Sequence, residues 1–250
     1  MLQTTSLELF KDVGDPDVRR IASLCTERHY LAGATIFSEG DPGDAMFILV
    51  EGLVKLVSAS NKGAETILHL LKPNQIFGEL LFSEERRAFD AVASTDVVVS
   101  VIPRKNLEQI FATFPVVARN FIRLLSGRLT RVEQGLAGFG HTLSYERLGK
   151  ALLDLSREHG VKTPKGTLIP LHLTHDELAK LIGTTRETVS TQINRFRRLH
   201  LVRREGRHFV VDTDLLAKFL DLRDDPVSPA RKTILPDPWD QTRDRAIPGP

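Results

Sequence analysis

Cysteine is almost absent from this 250-residue sequence, which contains only Cys25. A single thiol excludes an intramolecular disulfide, and it cannot provide the four thiolates that hold an iron–sulfur cluster. No apolar run approaches the length of a membrane span. Because the N-terminus also lacks the basic, apolar and small-residue order of a signal peptide, the sequence predicts a cytoplasmic protein without a membrane partner.

Short catalytic motifs are missing as well. The sequence has no GxSxG elbow, HExxH helix, P-loop or Rossmann fingerprint, and Cys25 has no local catalytic context. His69, His172 and His175 are scattered singly, which is more typical of surface or core histidines than of metal ligands. We therefore predict no catalytic residues, no metal site and no enzymatic activity.

Charge is nearly balanced over the whole chain, with 34 basic and 32 acidic residues and a net charge of +2. The stretch from Ser190 to His208, by contrast, contains six arginines and a single acidic residue, Glu205, a local balance of 6 − 1 = +5. Basic residues that are concentrated in one stretch indicate one dedicated face for nucleic acid.

The segment from Leu173 to Val202 has the pattern of two short helices joined by a tight turn. Thr174 and Glu177 form a capping box that predicts the start of the first helix, and Gly183 predicts its end. Thr184 or Thr185 can cap the second helix. Apolar residues at helical spacing should face inward on the two helices: Leu178, Leu181 and Ile182 on the first, and Val189, Ile193 and Phe196 on the second.

The outward face of the second helix has side chains suited to a major groove. Arg186 can bind the O6 and N7 atoms of guanine, and Glu187 can accept from the N4 amino group of cytosine. Glu187 can instead complete a second capping box with Thr184, and the whole segment can be an ordinary helical hairpin. The local positive charge favours DNA binding, because a basic hairpin that turns at Gly206 follows the helix and can hold phosphates. The predicted contacts with double-stranded DNA are Thr174, Thr185, Arg186, Glu187, Ser190, Thr191, Asn194, Arg195, Arg203, Arg204 and Arg207.

The region from about Leu31 to Ile102 consists of short apolar runs separated by glycines, which indicates antiparallel strands with tight turns. The clearest strands are TIFSEG, MFILVEG, LVKLVS, ETILHLL and VVVSVIP. About eight strands at this spacing predict a barrel or a jelly roll.

A long helix should follow Pro115, because apolar residues recur there at alternating intervals of four and three. The stripe consists of Ala118, Ile122, Leu125, Leu129, Val132, Leu136 and Phe139. The stripe can pack against the chain's own roll. We favour the alternative, a parallel homodimeric coiled coil, because so regular a heptad pattern is typical of a helix that pairs with its own copy.

Glycines at 138 and 140, with His141, predict a hinge after this helix. A helix from about Ser144 to Glu158 should follow, then a loop or small hairpin, the two short helices, and a final helix from Asp214 to about Leu220. The fold class is therefore α+β. The predicted domains are a roll over residues 1–114, a dimerisation helix and hinge over 115–140, a winged helix-turn-helix domain over 141–220, and a proline-rich, disordered tail over 221–250.

This order of elements resembles the CRP/FNR family of bacterial transcription regulators, from about Ser6 to Leu220. EGDPGDAMFILVEGLVKL resembles the early roll strands of the family, IFGEL the start of its phosphate cassette, and LTHDELAKLIGTTRETVS its DNA-binding signature. The resemblance implies a homodimer on a pseudo-palindromic operator, RNA polymerase as a partner, and a small effector at the roll that realigns two recognition helices through the hinge.

The resemblance also places an effector pocket, with cAMP or another cyclic nucleotide as the possible ligand. In cyclic-nucleotide-binding members, backbone amides and an arginine hold the cyclic phosphate and a glutamate binds the ribose 2′-hydroxyl. Those positions correspond to Gly78, Glu79, Leu80 and Arg87 here, and the position after the arginine is Ala88. Gly78 and Glu79 can alternatively form only a turn, with Glu79 paired to Arg87.

Two departures from the family pattern concern the ligand and the operator. The Thr-Ser pair that contacts adenine in cAMP receptors is replaced by Val132 and Glu133, and the last arginine of the DNA-reading pattern is replaced by Thr191. A threonine cannot bind guanine through two hydrogen bonds, so the half-site should differ from the familiar one. The alternatives are a heme sensor of the same family, with His69 or Cys25 as a ligand, another small-molecule sensor, and a cyclic-nucleotide module of a non-DNA partner.

Overall fold

In a computed structural model, the residues described are 7–59, 65–83, 85–139 and 143–224. Backbone contacts divide them into two units. The first consists of the described residues up to 139 together with Asp176–Thr185, and the second consists of Leu143–His175 and the described residues from Arg186 onward.

The first unit begins with a one-turn 3₁₀ helix, Glu8–Phe10, and helix α1, Asp15–Ala22. Pro16 lies in the first turn of α1, where its missing N–H costs no hydrogen bond. Asp15 and Asp17 place negative charge at the positive end of the helix. The apolar face, through Val18 and Ile21, is buried.

Eight strands among the described residues of this unit form two four-stranded antiparallel sheets. They are β1 (Thr26–Tyr30), β2 (Thr35–Phe37), β3 (Ala45–Glu51), β4 (Val54–Ala59), β5 (Glu65–Leu71), β6 (Ile76–Phe77), β7 (Asp90–Ala93) and β8 (Val97–Pro103). The strand orders are β1-β8-β3-β6 and β2-β7-β4-β5. The antiparallel roll predicted from the glycine-punctuated runs is therefore confirmed.

Three phenylalanines pack together within one apolar core of the roll. Phe47 stacks on Phe77 with ring centroids 5.0 Å apart, and Phe37 lies 5.5 Å from Phe47. All three side chains are buried. Rings that pack in this way add favourable quadrupole contacts to the burial of apolar area, so they stabilise the part of the roll that contains the predicted effector-binding residues.

Two helices complete the first unit: α2, Arg104–Thr113, and α3, Pro115–Phe139. Leu107 and Ile110 of α2 and Val117 and Phe121 of α3 are buried in a second apolar core. The buried amide of Asn120 donates to the carbonyl oxygens of Leu9 and Lys11, which attaches α3 to the N-terminal segment. The predicted start of the long helix at Pro115 is confirmed, whereas the prediction that Gly138 belongs to a hinge after the helix is wrong, because α3 continues through Gly138 to Phe139.

The heptad stripe of α3 is not covered by the roll over its whole length. Ile122 is 63%, Leu129 58% and Val132 54% exposed. Ala118 and Leu125 are half-buried, and Leu125 packs against the core of its own unit. The side chains of the other two stripe residues, Leu136 and Phe139, lie outside the described part of the chain. An exposed apolar row of this length remains available for a partner.

The remaining helices are α4 (Ser144–His159), α5 (His175–Ile182), α6 (Arg186–Arg198) and α7 (Thr213–Asp224), and the remaining strands are β9 (Val161–Thr163), β10 (Gly166–Ile169), β11 (Val202–Glu205) and β12 (His208–Val211). The strands form one antiparallel sheet in the order β11-β12-β10-β9. The segment predicted as a loop or small hairpin is a hairpin, and α7 continues past the predicted boundary at residue 220 to Asp224.

The core of the second unit forms where α4 meets α6 and α7. Leu148 and Leu152 of α4, Phe196 of α6 and Leu216 of α7 are buried. Glu146 closes the start of α4 by accepting from the backbone N–H of Leu143 at 2.8 Å. This capped, apolar-faced helix is the one predicted from Ser144 onward.

Two predictions fall on residues that the structure does not describe. Gly140 and His141 of the predicted hinge lie outside the described residues, as do residues 225–250, which make up most of the tail that was predicted to be disordered. Within the described ranges, none of the helices combines the length and the apolar character that crossing a membrane would require.

Candidate DNA-binding face and effector pocket

Helix α6 separates its apolar and polar residues onto opposite faces. Val189, Ile193 and Phe196 are buried at intervals of four and three. Four of the five predicted groove-facing residues of the same helix are exposed, namely Arg186, Glu187, Thr191 and Asn194, and the fifth, Ser190, is half-buried. The helix therefore presents a polar face that does not contribute to its own core.

Local backbone geometry explains why two helices form here instead of one. Gly183 follows the end of α5 with φ at +65°, a left-handed conformation that most side chains disfavour. The N–H of Thr184 donates to the carbonyl of Ala179 at 3.0 Å, which closes the end of the first helix. Thr174 and Thr185, predicted DNA contacts, immediately precede α5 and α6, and both are exposed.

The hairpin of β11 and β12 forms a basic wing that turns at Gly206, whose φ is +59°. Arg203, Arg204 and Arg207 are exposed. The guanidinium of Arg204 lies 4.9 Å from the ring centroid of Phe209. This contact limits the rotation of a long side chain and fixes its charge on the surface.

Arg195 differs from the other arginines that were predicted to contact DNA, because it is half-buried and lies 5.4 Å over the ring of Tyr145. Two further arginines, Arg197 and Arg198, were counted in the local charge but not predicted as contacts. Both are exposed and line a concave surface with Asn194. The spacing of three and four residues from Asn194 was the signal that could have identified them.

His175, the first residue of α5, is half-buried and hydrogen-bonded. Its Nδ1 lies 2.8 Å from Oγ of Ser190, a predicted base contact on α6. Burial lowers the pKa of His175 below that of ordinary imidazole, and the positive charges of Arg204 and Arg186 lower it further. The imidazole is therefore biased towards its neutral form.

A second site lies in the roll, where β6 ends at Gly78. This residue has φ at +75° and caps a short 3₁₀ helix, Glu79–Phe82. Arg87 donates to the carbonyl oxygens of Gly78, at 3.1 Å, and Ala45, at 2.7 Å. Its guanidinium also lies 4.4 Å over the ring of Phe37. The structure therefore brings together three of the predicted effector-binding residues, Gly78, Glu79 and Arg87.

The ionic partner of Glu79 is Arg128 of the long helix, which also donates to the carbonyl of Ile76 at 2.9 Å. The alternative in which Glu79 pairs with Arg87 is therefore not what the structure shows. Arg128 was not predicted, although it precedes Val132 by four residues and so lies on the same face of α3. The pair joins the cassette directly to the long helix.

Two buried polar atoms of this pocket lack hydrogen-bond partners among the described residues: Oε2 of Glu79 and Nε of Arg87. Both side chains are more than nine-tenths buried. Burial lowers the pKa of Arg87, whereas Asp44, Asp41 and Glu79 raise it. Asp44 is the nearest paired carboxylate, at 3.7 Å, and is itself exposed. The buried guanidinium of Arg87 is only weakly compensated by Asp44, so binding of an anion next to Arg87 would be favourable.

The other predicted effector residues are less enclosed. Leu80 is half-buried, and Ala88, Val132 and Glu133 are exposed. The exposed apolar side chain of Val132 cannot donate a hydrogen bond to a nucleobase. Arg87 and Glu79 therefore have the chemistry to bind a phosphate and a hydroxyl group. Val132 and Glu133 do not reproduce the Thr-Ser pair that contacts adenine in cAMP receptors.

Replacing Gly78 with alanine should destabilise the roll by about 1–3 kcal/mol, because φ at +75° is strained for a residue with a Cβ. That Cβ would lie 2.9 Å from Nη1 of Arg87 and 3.0 Å from Cδ2 of Phe47. Urea unfolding would measure the loss. Gly127→Ala is the matched control, since a Cβ there meets no atom within 4 Å. Equal stability of the Gly78→Ala variant and the unchanged protein would contradict the requirement for glycine.

The two residues considered as heme ligands lie on other parts of the chain than Gly78, Glu79 and Arg87. Cys25 donates from its half-buried thiol to the carbonyl of Ile21 at 3.3 Å, and His69 lies on β5. Among the described residues, no group of three or more His, Cys, Asp or Glu side chains is placed to hold a metal ion.

Two known protein families match this chain, and each match contains one of the two sites. The profile of the family described as a cyclic nucleotide-binding domain matches residues 27–114. That of the Crp-like helix-turn-helix domain matches residues 146–219. The first match includes the pocket around Gly78, and the second includes α5, α6 and the wing.

Several known proteins are similar to this chain over most of its length. The CRP-like cAMP-activated global transcriptional regulator of Mycobacterium tuberculosis is 32% identical over 188 residues, which cover 74% of this chain and 84% of that protein. A cyclic AMP receptor protein of Thermus thermophilus is 34% identical over 200 residues, 79% of this chain and 86% of that protein. The solved structure of a CRP/FNR-family transcriptional regulator from the same organism is 27% identical, with a TM-score of 0.60 over 78% of this chain and 98% of that one.

Proposed function

Because this chain belongs to the CRP/FNR family of effector-controlled, DNA-binding transcription regulators, we propose that it acts as a homodimer on a pseudo-palindromic operator. The observation that carries this proposal is the exposed polar face of α6 beside a wing with three exposed arginines. A recognition helix of this kind enters the major groove, while the wing neutralises phosphates.

The reading residues proposed on α6 are Arg186, Glu187, Ser190 and Thr191. Arg186 and Glu187 are exposed in the first turn of the helix, where the end of a recognition helix meets base edges. Thr191 is exposed as well, and it can contact a thymine methyl group or a phosphate. The proposed half-site therefore has a guanine opposite Arg186 and lacks a second arginine-read guanine at Thr191.

The exposed stripe of α3 supports the homodimer. Ile122, Leu129 and Val132 present apolar surface at heptad spacing, which a second copy of the same helix would cover in register. Dimeric regulators with a helix-turn-helix bind two half-sites that lie one turn of DNA apart. The same proposal places the chain in the cytoplasm, where the chromosome is accessible, and gives it RNA polymerase as a partner.

The roll pocket supports cAMP or another cyclic nucleotide as the effector. Arg87 offers a buried positive charge for the cyclic phosphate, and Glu79 offers an unpartnered oxygen, Oε2, that can accept from the ribose 2′-hydroxyl. Arg128 joins Glu79 to α3, so a ligand that competes for Glu79 would act directly on the helix that precedes the DNA-binding unit. Val132 and Glu133 imply that the base is held differently from adenine in cAMP receptors.

Selection from random double-stranded DNA tests the proposal, with and without millimolar cAMP or cGMP. We expect an inverted repeat whose half-sites are one helical turn apart, and tighter binding with the activating nucleotide. Titration calorimetry with the same nucleotides measures the effector separately. An asymmetric single half-site would contradict the dimer, and an absence of heat with both nucleotides would contradict the cyclic-nucleotide effector.

A further inference from the structure

His175 is held in a defined position beside the recognition helix. Its ring lies 6.4 Å from that of buried Phe209, with the planes 22° apart, and its Nδ1 lies 2.8 Å from Oγ of Ser190. Three elements therefore fix this histidine: α5, which begins with it, the side chain of Ser190 on α6, and the ring of Phe209 on β12. A half-buried imidazole in this arrangement has little freedom to rotate away from Ser190.

The charged groups near His175 lie on α6, on β11 and on α5 itself. Arg186 of α6 and Arg204 of β11 act on the ring as positive charges. On α5 itself, Asp176 is paired with Lys180 at 3.1 Å, and Glu177 is the next acidic residue. Burial and the two arginines lower the pKa of His175, so the free protein near neutral pH has a neutral ring.

The protonation state of this ring controls what Ser190 can offer to DNA. A neutral imidazole that carries its proton on Nε2 accepts a hydrogen bond from the Ser190 hydroxyl at Nδ1, which leaves the serine oxygen as an acceptor towards the groove. An imidazolium can only donate, so its Nδ1–H occupies the serine oxygen and releases the hydroxyl proton for a base or phosphate. One proton on His175 thus reverses the hydrogen-bonding role of Ser190.

We propose that His175 is a positioning residue that sets the donor or acceptor role of Ser190 and adds a positive charge to the DNA-binding face, so that DNA reading depends on pH. This inference rests on the proposed DNA-binding function. DNA phosphates beside Arg186 and Arg204 offset the positive charges that keep the ring neutral in the free protein. DNA binding therefore favours uptake of a proton by His175.

The sign of the pH effect follows from this uptake. DNA raises the pKa of His175 above its value in the free protein, so DNA affinity rises as pH falls through the pKa of the complex. The gain in DNA affinity is complete once the pH is below the pKa that His175 has in the free protein, which is the lower of the two values. A difference of about one unit between the two states corresponds to a roughly tenfold change in affinity.

The test uses the full chain and its selected operator, with fluorescence anisotropy at constant salt between about pH 6 and pH 8. We expect the unchanged protein to bind roughly three- to tenfold more tightly at the lower pH. His175→Asn should remove this dependence, because its amide can still bond Ser190 but does not titrate. The matched control is His200→Asn, since His200 is exposed in the turn after α6 with φ at +57°, a conformation that asparagine tolerates.

A second readout separates the role of Ser190 from the added charge. Selection at the two pH values should change the preferred base at one position of each half-site, and Ser190→Ala should remove that change while the affinity still rises at low pH. The inference is wrong if His175→Asn keeps the full pH dependence. It is also wrong if the unchanged protein prefers the same base at both pH values. If the unchanged protein selects no sequence at any pH, the proposed function itself fails.

Discussion

Replacing both Ile122 and Leu129 with glutamate is expected to make the protein monomeric and to weaken operator binding by roughly 100- to 10,000-fold, the gain that two linked sites provide over one. Both side chains are more than half exposed in the single chain, so the change need not disturb its own core. In a paired coiled coil, however, the carboxylates of two copies would be buried against each other without partners. Sedimentation equilibrium would measure the mass, and fluorescence anisotropy the affinity for the operator.

Thr130→Glu is the control for added charge on the same helix. Thr130 is exposed and follows Leu129, but it lies outside the heptad stripe. This variant should stay dimeric and retain operator affinity. If the Ile122→Glu, Leu129→Glu double variant also remains a dimer, the stripe is not the interface, and the exposed residues of α3 require a different partner.

The elements that the sequence predicts best are those determined by interactions between residues close together in the chain. The period of α3 and the two short helices around Gly183 follow from the spacing of apolar residues within each segment, and Gly183 itself supplies the required positive φ. The wing likewise needs only two short strands and Gly206. Each prediction used residues close together in the chain, so no knowledge of the tertiary fold was needed.

The contacts that complete the two sites connect residues from separate elements, and they were not predicted. Arg128 and Glu79 are 49 positions apart, and His175 and Ser190 are 15 apart. Nothing in the spacing of either pair distinguishes it from other charged or polar residues on the same helix faces. The resemblance supplied Glu79 but not its partner, because Arg128 becomes identifiable only when α3 is placed beside the cassette.

Among the proposed DNA-reading residues, Arg186 has the largest expected single effect, because its replacement by alanine should cost about 1–3 kcal/mol at one base pair of each half-site. That corresponds to a roughly 5- to 150-fold loss of affinity per contact. Arg186 is the first residue of α6, where a positive charge opposes the helix dipole. The arginine therefore does not stabilise the start of the helix, so Arg186→Ala should fold normally by circular dichroism.

Arg203→Ala provides the comparison that separates base reading from phosphate binding. Arg203 is exposed on the wing, and its loss should weaken binding to all sequences alike and reduce the salt dependence by about one counterion. Arg186→Ala should instead relax the preference at one position and leave the others unchanged in a random-sequence selection. If Arg186→Ala selects the same half-site as the unchanged protein, Arg186 holds phosphate and the base contacts belong to the next turn of α6, where Ser190 and Thr191 lie.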